Sequence, residues 1–354
     1  MYQLNDKIRN LKPYDPISGE YAIRLDANES FFSLPEDLQQ KYARIASDLA
    51  LNRYPDPLAT QLCQAFADYY QVPVENVTAG NGSDELISII CNSFLEKGDH
   101  FLTLEPEFSM YRFYGSLSEG VPVTLQKPEN LQIDVDEVIR VCREQDIKLL
   151  IFSNPCNPTS LGLGREEVRR LISSVKALVV LDEAYMDFWD QSLLPEFQDY
   201  DNLMILRTCS KAFGGAALRL GFAMASLPLT NALKAVKSPY NVNSFSQAAG
   251  AALLGRKEAS QAALREILRS REELLAGLKE LEREFPQALH VYESCTNFAF
   301  LRMEKAEEAH AYLLGQSIAV RKFPGYLRIT AGTPQENAAV LEALARFLRD
   351  AGKE

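Results

Sequence analysis

One lysine of this chain lies among residues that suit a nucleophile better than a solvated surface. Lys211 follows the apolar run 203–206 and sits in the small-residue sequence Thr-Cys-Ser-Lys-Ala-Phe-Gly-Gly over 208–215. A lysine has an ordinary pKa of about 10.4, and it becomes a nucleophile near neutral pH when burial or a neighbouring cation lowers that value. Arg219 is close enough in sequence to supply such a cation if the turn after the strand brings it back. Taken alone, this segment is more often an ordinary surface loop, so its interpretation depends on the rest of the chain.

Two other strand-like runs also end in polar side chains. The run 149–152 is followed by Asn154, and the run 178–181 is followed by Asp182 and Tyr185. Parallel strands end at one edge of their sheet, and ligands bind beyond those carboxyl ends. Each residue alone could belong to a turn, a helix cap or the core, but three such coincidences are improbable. The pattern predicts a site that gathers an amide, a carboxylate, a phenol and an amine.

A glycine turn that enters a helix is a candidate anion site. The sequence Gly-Asn-Gly-Ser-Asp-Glu over 80–85 precedes the apolar helical run 86–95. The first backbone N–H groups of a helix have no partner within it and, with the helix dipole, favour an anion. Ser83 could instead cap the helix, and the two acidic residues that follow already satisfy the dipole. From this motif alone both interpretations stay open.

Composition excludes several classes of protein. The chain has 354 residues, is 47% hydrophobic and carries a net charge of −11 without basic blocks, so we expect no nucleic-acid or anionic-membrane partner. Its six cysteines form no C-x-x-C pair, which is typical of reduced, cytoplasmic proteins. The three histidines are scattered without ligand spacing, so we expect no metal. No stretch approaches the ~18 apolar residues of a membrane span.

The elements that must position these residues alternate between strand and helix from about residue 100 to residue 225. This alternation predicts an α/β fold with a mostly parallel central sheet covered by helices. A long amphipathic helix and three strand-like runs then predict a smaller C-terminal α+β domain. We therefore expect an N-terminal arm over 1–30 that packs on the small domain, a large domain over 31–240 and a small domain over 241–354.

The predicted site suits pyridoxal 5'-phosphate. A carboxylate would keep the pyridine nitrogen protonated so that the ring acts as an electron sink, a phenol would bind the ring oxygen and a helix N-terminus would take the phosphate. The ordered motifs resemble fold type I pyridoxal-phosphate aminotransferases of the aspartate aminotransferase class, and most of all the histidinol-phosphate aminotransferase family. The resemblance covers nearly the whole chain and rests on segments 25–29, 53–56, 80–85, 154–159, 182–185, 210–221 and 327–330.

The resemblance assigns a role to each residue of the predicted site. It implies that Lys211 forms the Schiff base and moves the proton, Asp182 pairs with the pyridinium nitrogen, Tyr185 and Asn154 bind the ring oxygen, and Phe108 stacks on the ring. The residues that it implies for the phosphate are Gly82, Ser83, Asp84, Thr208, Ser210, Arg219 and, from the neighbouring subunit of a homodimer, Tyr54. The residues that it implies for substrates are Arg328, Arg321, Asn28 and Glu29.

The resemblance also implies a reaction, which is transfer of an amino group between glutamate and imidazole-acetol phosphate to give histidinol phosphate and 2-oxoglutarate. An aromatic-amino-acid aminotransferase and a threonine-phosphate decarboxylase on the same scaffold are the alternatives. A non-catalytic regulator is disfavoured because Lys211 is intact and no basic helix is present. The chain departs from the family at Ser30 and Phe31, where Asn-Pro is usual, and at Cys156 and Ser160, which replace Asn and Gly of a turn.

Overall fold

The computed structural model describes residues 2–13 and 17–351. Residue 1, residues 14–16 and residues 352–354, which belong to the predicted arm and C-terminal domain, lie outside the described residues. The strands are β1 (Ile23–Leu25), β2 (Val77–Asn81), β3 (His100–Glu105), β4 (Val121–Gln126), β5 (Leu149–Ser153), β6 (Leu178–Asp182), β7 (Leu203–Thr208), β8 (Leu220–Ala225), β9 (Leu289–Val291), β10 (Phe298–Met303), β11 (Ile318–Phe323) and β12 (Tyr326–Thr330). The helices are α1 (Asp6–Arg9), α2 (Glu36–Asp48), α3 (Thr60–Tyr70), α4 (Ser83–Phe94), α5 (Met110–Leu117), α6 (Val135–Glu144), α7 (Arg165–Ser174), α8 (Leu227–Val236), α9 (Ser244–Leu254), α10 (Lys257–Glu284), α11 (Ala306–Gly315) and α12 (Pro334–Ala351).

The larger sheet has seven strands in the order β2-β8-β7-β6-β5-β3-β4. The five strands β3 to β7 pair in parallel, whereas β8 runs antiparallel to both of its neighbours. Successive residues of β7 are all buried, and they alternate between two apolar clusters on opposite faces of the sheet. Burial on both faces is what continuous apolar runs predict. The predicted α/β fold with a mostly parallel sheet is therefore confirmed.

The smaller sheet has five strands in the order β1-β11-β12-β10-β9. Its apolar side packs against α10, α11 and α12 through a separate core that includes Leu274, Ala309 and Leu344. β1 pairs in parallel with β11, so the end of the N-terminal arm is an edge strand of this sheet. Residues 26–28 then lead from β1 towards the carboxyl edge of the larger sheet.

The packing of two other segments bears on the predicted domains. In the arm, Lys7 forms an ion pair of 3.5 Å with Glu119, which lies beside the larger sheet between α5 and β4. Helix α9 buries Ala249 and Leu253 in the core of the larger sheet. This packing favours a boundary after α9 rather than at residue 240, and the division into domains stays a prediction. Within the described residues, no helix is both long and apolar enough to cross a membrane.

Candidate active site

A cavity of about 870 Å³ lies at the carboxyl edge of the larger sheet and reaches the smaller sheet. The ends of β3, β5, β6 and β7 contribute to one wall, and β11 and β12 contribute to the other. The sequence-predicted residues that line it are Asn28, Glu29, Ser83, Asp84, Phe108, Asp182, Tyr185, Thr208, Ser210, Lys211, Arg219, Arg321 and Arg328. The fold thus collects in one place residues that are up to 300 positions apart.

Lys211 is held in a tight turn directly after β7. Gly214 adopts a φ of 63°, and the N–H of Gly215 donates to the carbonyl of Cys209 at 2.9 Å, which closes the turn. The Nζ atom donates to the carbonyl oxygen of Ala27 at 2.9 Å. Desolvation, followed by the positive charge of Arg328, lowers the pKa of Lys211 to about 8. An appreciable share of the amine is therefore neutral near physiological pH and able to act as a nucleophile or a base.

Asp182 is the last residue of β6 and is 4% exposed. Its Oδ2 atom accepts a hydrogen bond from the hydroxyl of Tyr111 at 2.8 Å, and its Oδ1 atom accepts one from the N–H of Ala184 at 3.0 Å. Desolvation nevertheless raises the pKa of Asp182 to about 6, because the two hydrogen bonds only partly offset it. None of the ion pairs found among residues 2–13 and 17–351 involves this carboxylate, and a protonated ring nitrogen would supply a cationic partner.

The phenol of Tyr185 is positioned by the arm. Its hydroxyl accepts a hydrogen bond of 2.8 Å from the Nδ2 atom of Asn28, and burial raises its pKa. Asn28 is 1% exposed and takes a φ of 54°, in the left-handed region that Asn tolerates better than most residues. Its Oδ1 atom accepts from the hydroxyl of Thr330 on β12 at 3.2 Å. In this structure the side chain of Asn28 joins Tyr185 to the smaller sheet, and its expected contact with substrate stays a prediction.

Residues 26–28, which we call the strap, contact three site residues at once. The carbonyl of Asp26 accepts from the Nη2 atom of Arg328 at 2.6 Å, next to the bond between Ala27 and Lys211. The Arg328 guanidinium also lies 5.3 Å from the ring centroid of Phe298 and donates to the Oδ1 atom of Asn157. These contacts hold the Arg328 guanidinium, a group that binds water only weakly, in a fixed plane at the wall of the cavity.

Two glycines let backbone approach closely at the predicted anion site. A Cβ atom on Gly221 would lie 2.3 Å from the nitrogen of Ser83, so β8 presses directly on the turn before α4. Gly82 precedes α4 and has no side chain to cap it, and a Cβ atom there would lie 2.7 Å from the Nη2 atom of Arg219. The backbone N–H groups at the start of α4 and this guanidinium therefore face the same space.

Two hydroxyl groups complete the anion site. Thr208 Oγ1 donates to Ser210 Oγ at 2.9 Å and accepts from the Ser210 N–H at 3.1 Å, so the end of β7 presents both hydroxyls side by side. Asp84 also lines the cavity, and desolvation raises its pKa in spite of the opposing charges of Arg219 and Lys211. The set of N–H, hydroxyl and guanidinium donors fits a phosphate group.

Two residues of the predicted site, Asn154 and Tyr54, do not line this cavity, and Tyr54 is expected to act in the neighbouring subunit. The carboxamide of Asn154 is occupied by the backbone of Leu163, with bonds of 2.9 and 2.8 Å, and it does not line the cavity. Asn157, three residues on, does line the cavity and was missed by the sequence analysis. Tyr54 is 80% exposed and stacks on Tyr240 at 4.6 Å.

The sequence analysis also missed three residues around Asp182. Tyr111, whose hydroxyl contacts Asp182, lies in a helix that was not predicted. Glu107 and Ser153 line the same wall. For Asn157 the signal was present as the second Asn of the turn 154–159, whereas nothing in the residue types of the other three distinguishes them from core or turn residues.

Comparison with known proteins gives this geometry a family. The profile of the family "Aminotransferase class I and II" matches residues 21–344. The histidinol-phosphate aminotransferase of Clostridium novyi (strain NT) is 39% identical over 342 residues, which cover 95% of each chain. That of Thermococcus kodakarensis is 36% identical over 99% of each chain.

A solved structure shows the same fold. The histidinol-phosphate aminotransferase of Sinorhizobium meliloti, crystallised in complex with pyridoxal-5'-phosphate, superposes with a TM-score of 0.87 over 99% of each chain at 22% identity. At that identity the likeness concerns the fold, while the curated relatives and the family profile extend it to the sequence. The chain therefore belongs to the class I and II aminotransferase family.

Proposed function

We propose that this chain is a pyridoxal-phosphate-dependent histidinol-phosphate aminotransferase. The observation that carries the proposal is the placement of Lys211, Asp182 and Tyr185 on one cavity together with the anion site. Curated relatives named as this enzyme, at 36–39% identity over almost their full length, support the same conclusion.

The residues present fit the cofactor on three separate counts. The lowered pKa of Lys211, to about 8, suits an amine that holds an aldehyde covalently. The raised pKa of Asp182 suits a carboxylate awaiting a pyridinium nitrogen. The donors at the start of α4 suit the phosphate. When bound, pyridoxal phosphate supplies an electron sink for the carbanion formed at the α carbon of the substrate.

The chain's own residues would then bind, orient and transfer protons. Lys211 Nζ would take the proton from the α carbon of the substrate and deliver it to the former aldehyde carbon of the cofactor, because its amine is largely neutral above pH 8. Tyr185 would donate from its hydroxyl to the ring oxygen. Asn157 is on the cavity wall where Asn154 is not, so we assign to Asn157 the contact with the ring oxygen. Phe108 would cover one face of the ring.

Arginine side chains would select the substrates. Arg328 and Arg321 occupy directly opposed positions on β12 and β11, and both line the cavity. Two guanidinium groups at this wall suit the carboxylate of glutamate in one half-reaction and the phosphate of histidinol phosphate in the other. Glu29 lies on the same cavity and would face the substrate side chain.

A homodimer with shared sites completes the proposal. Tyr54 is exposed in the single chain, and a partner's Tyr54 would reach the phosphate of this chain's cofactor. The six free cysteines, five of them buried, support a reducing, cytoplasmic location.

The proposal is tested by a visible absorption spectrum of the purified protein, followed by titration with histidinol phosphate. We expect a band of bound pyridoxal phosphate that bleaches with histidinol phosphate and is absent in Lys211→Ala. A response to aromatic amino acids alone, or release of carbon dioxide from threonine phosphate, would replace the substrate and keep the cofactor. No band after addition of pyridoxal phosphate would refute the proposed function.

A further inference from the structure

A buried ion pair, of which Glu107 lines the cavity and Lys127 does not, has no part in the proposed chemistry. Glu107 follows β3 and Lys127 follows β4, and each side chain is 2% exposed. The Lys127 Nζ atom lies 3.6 Å from the Glu107 Oε2 atom. Removing two charges from water costs several kcal/mol per ion, so a buried pair of this kind is weak support for stability. Its position beside the site suggests another use.

The carboxylate of Glu107 joins two segments of the cavity wall. It accepts a hydrogen bond from the N–H of Phe108 at 3.1 Å. It also accepts from Ser153, through the N–H at 3.3 Å and through the hydroxyl. The Ser153 hydroxyl oxygen in turn accepts from the N–H of Asn157 at 3.0 Å. One carboxylate therefore connects the loop that carries Phe108 to the turn that carries Asn157.

Lys127 contacts the same two segments as Glu107. Its Nζ atom donates to the carbonyl of Pro106 at 2.9 Å and lies 3.0 Å from the sulfur of Cys156. The ammonium thus contacts the loop before Glu107 and the turn between Ser153 and Asn157. Three neighbouring strand ends, those of β3, β4 and β5, are held together by one pair of opposite charges.

The titratable groups near this ion pair include Asp182, the residue proposed to bind the ring nitrogen. Besides Lys127 and the Cys156 thiol, the titratable groups around Glu107 are Tyr111 and Asp182, with Asp84 acting on Asp182 from the other side. Desolvation is the main cause of the raised pKa of Asp182, and the negative charge of Glu107 adds to it. Because Lys127 carries the opposite charge 3.6 Å from Glu107, removing either member changes the net charge near Asp182.

We propose that Glu107, with its charge balanced by Lys127, is a positioning residue that holds in place Phe108 and Asn157, the two residues that would contact the face and the oxygen of the cofactor ring. Its reach to the cofactor rests on the proposed function, whereas its hold on the two loops does not. Neither residue touches substrate in this arrangement. Each acts through the backbone of the segments that do.

The test compares Glu107→Gln, Lys127→Met and the double variant with wild type. Glu137→Gln, which breaks an exposed ion pair with Arg140, is the matched control. Hydrogen exchange of the full chain without cofactor is measured first, on peptides that contain 106–109 and 153–157. We expect exchange in both segments to rise by about tenfold or more in the single variants, because each leaves a buried charge without its partner. The double variant, which buries no net charge, should lie closer to wild type, and the control should not change.

The second measurement is the pH midpoint of the visible absorption of bound pyridoxal phosphate. Lys127→Met leaves a negative charge near the ring and should raise the midpoint, while Glu107→Gln leaves a positive charge and should lower it, each by on the order of half a pH unit. A purely structural role would not move the midpoint in opposite directions.

The outcomes separate the two proposals. Unchanged exchange at both segments in the single variants would overturn the positioning role, whether or not cofactor binds. If exchange changes but the two pH midpoints do not move apart, the proposed effect of Glu107 on the cofactor ring is overturned. Failure of wild type to take up pyridoxal phosphate would refute the proposed function, and the exchange data would still decide the role of Glu107 in holding the loops.

Discussion

Replacing Asp182 by Asn should stabilise the cofactor-free protein while weakening its hold on pyridoxal phosphate. The substitution keeps the shape of the side chain and removes its charge. Both hydrogen bonds can survive, since an amide oxygen can accept from the Ala184 N–H and the Tyr111 hydroxyl can turn to accept from the new amide. The change therefore isolates the cost of burying the carboxylate.

The size of that cost follows from the pKa of Asp182, which folding raises from 3.8 to about 6. Below pH 3.8 the carboxyl group is protonated in both the folded and the unfolded chain, so the penalty is absent. Between 3.8 and 6 the folded chain binds more protons than the unfolded chain, so stability falls as pH rises. Above pH 6 the penalty is complete and amounts to about 3 kcal/mol at 1.36 kcal/mol per unit.

Urea unfolding of the cofactor-free wild type and Asp182→Asn at several pH values checks this reasoning. The two free energies of unfolding should be nearly equal at pH 4, and the variant should be the more stable by up to about 3 kcal/mol at pH 7.5. With pyridoxal phosphate present, the difference between the two free energies of unfolding should shrink or change sign, because a ligand stabilises only the chain that binds it well. A difference that does not depend on pH, or a wild type that is more stable at pH 7.5 without cofactor, would refute the account of Asp182.

Three further predictions concern the lysine, the strap and the subunit interface. The rate at which the cofactor-free protein captures pyridoxal phosphate should rise with pH around a midpoint near 8. Arg328→Met should move that midpoint upward because a neighbouring positive charge is lost. An unmoved midpoint would show that desolvation alone sets the pKa of Lys211. Asn28→Ala should lower kcat by about tenfold to a hundredfold, since it leaves the Tyr185 hydroxyl without its donor. It should cost less in a Tyr185→Phe background, where only the bond to Thr330 and the left-handed backbone remain to be affected. If the sites are shared, co-expressing Tyr54→Ala with Lys211→Ala should restore about a quarter of wild-type activity, because half of the dimers then carry one intact site. Activity no higher than that of either variant alone would count against a site that includes the partner's Tyr54.

The strands of the larger sheet were predictable because they are buried on both faces. The runs expected at 149–152, 178–181 and 203–206 are strands that extend only one or two residues further. β2 was not predicted, since its Gly80 interrupts the apolar pattern. The structure shows why glycine stands there: a Cβ atom on Gly80 would lie 2.5 Å from the side chain of Leu86 in α4, while its partner Gly221 lies directly against the turn before that helix.

Helices without an apolar stripe escaped prediction in the same way. α9 consists mostly of small residues, so its sequence shows little contrast between a buried and an exposed face. It is nevertheless held in the core of the larger sheet through Ala249 and Leu253. Small side chains allow close packing of helices, and that packing is a property of the partner surface as much as of the helix itself. A prediction from periodicity alone misses it.

For the site, residue type was a good guide where the side chain does the work and a poor guide where the backbone does. Asp182, Tyr185 and Lys211 were predicted from the chemistry of their side chains, and all three line the cavity. The carboxamide of Asn154 is occupied by the backbone of Leu163, whereas Asn157 lines the cavity and accepts from Arg328 through its Oδ1 atom. Only the folded turn makes that distinction.

The strap binds the site residues mainly through its backbone. Two of its three site contacts come from the carbonyl groups of Asp26 and Ala27, which every residue type possesses. Substitutions at Ala27 that preserve the backbone should therefore leave the bond to Lys211 in place, whereas a change at Asn28 affects both a side-chain donor and a left-handed backbone. β1 and Arg328 belong to the smaller sheet, whereas Lys211 follows β7 of the larger one, so the bond from Lys211 to the carbonyl of Ala27 joins the two sheets at the nucleophile through backbone alone.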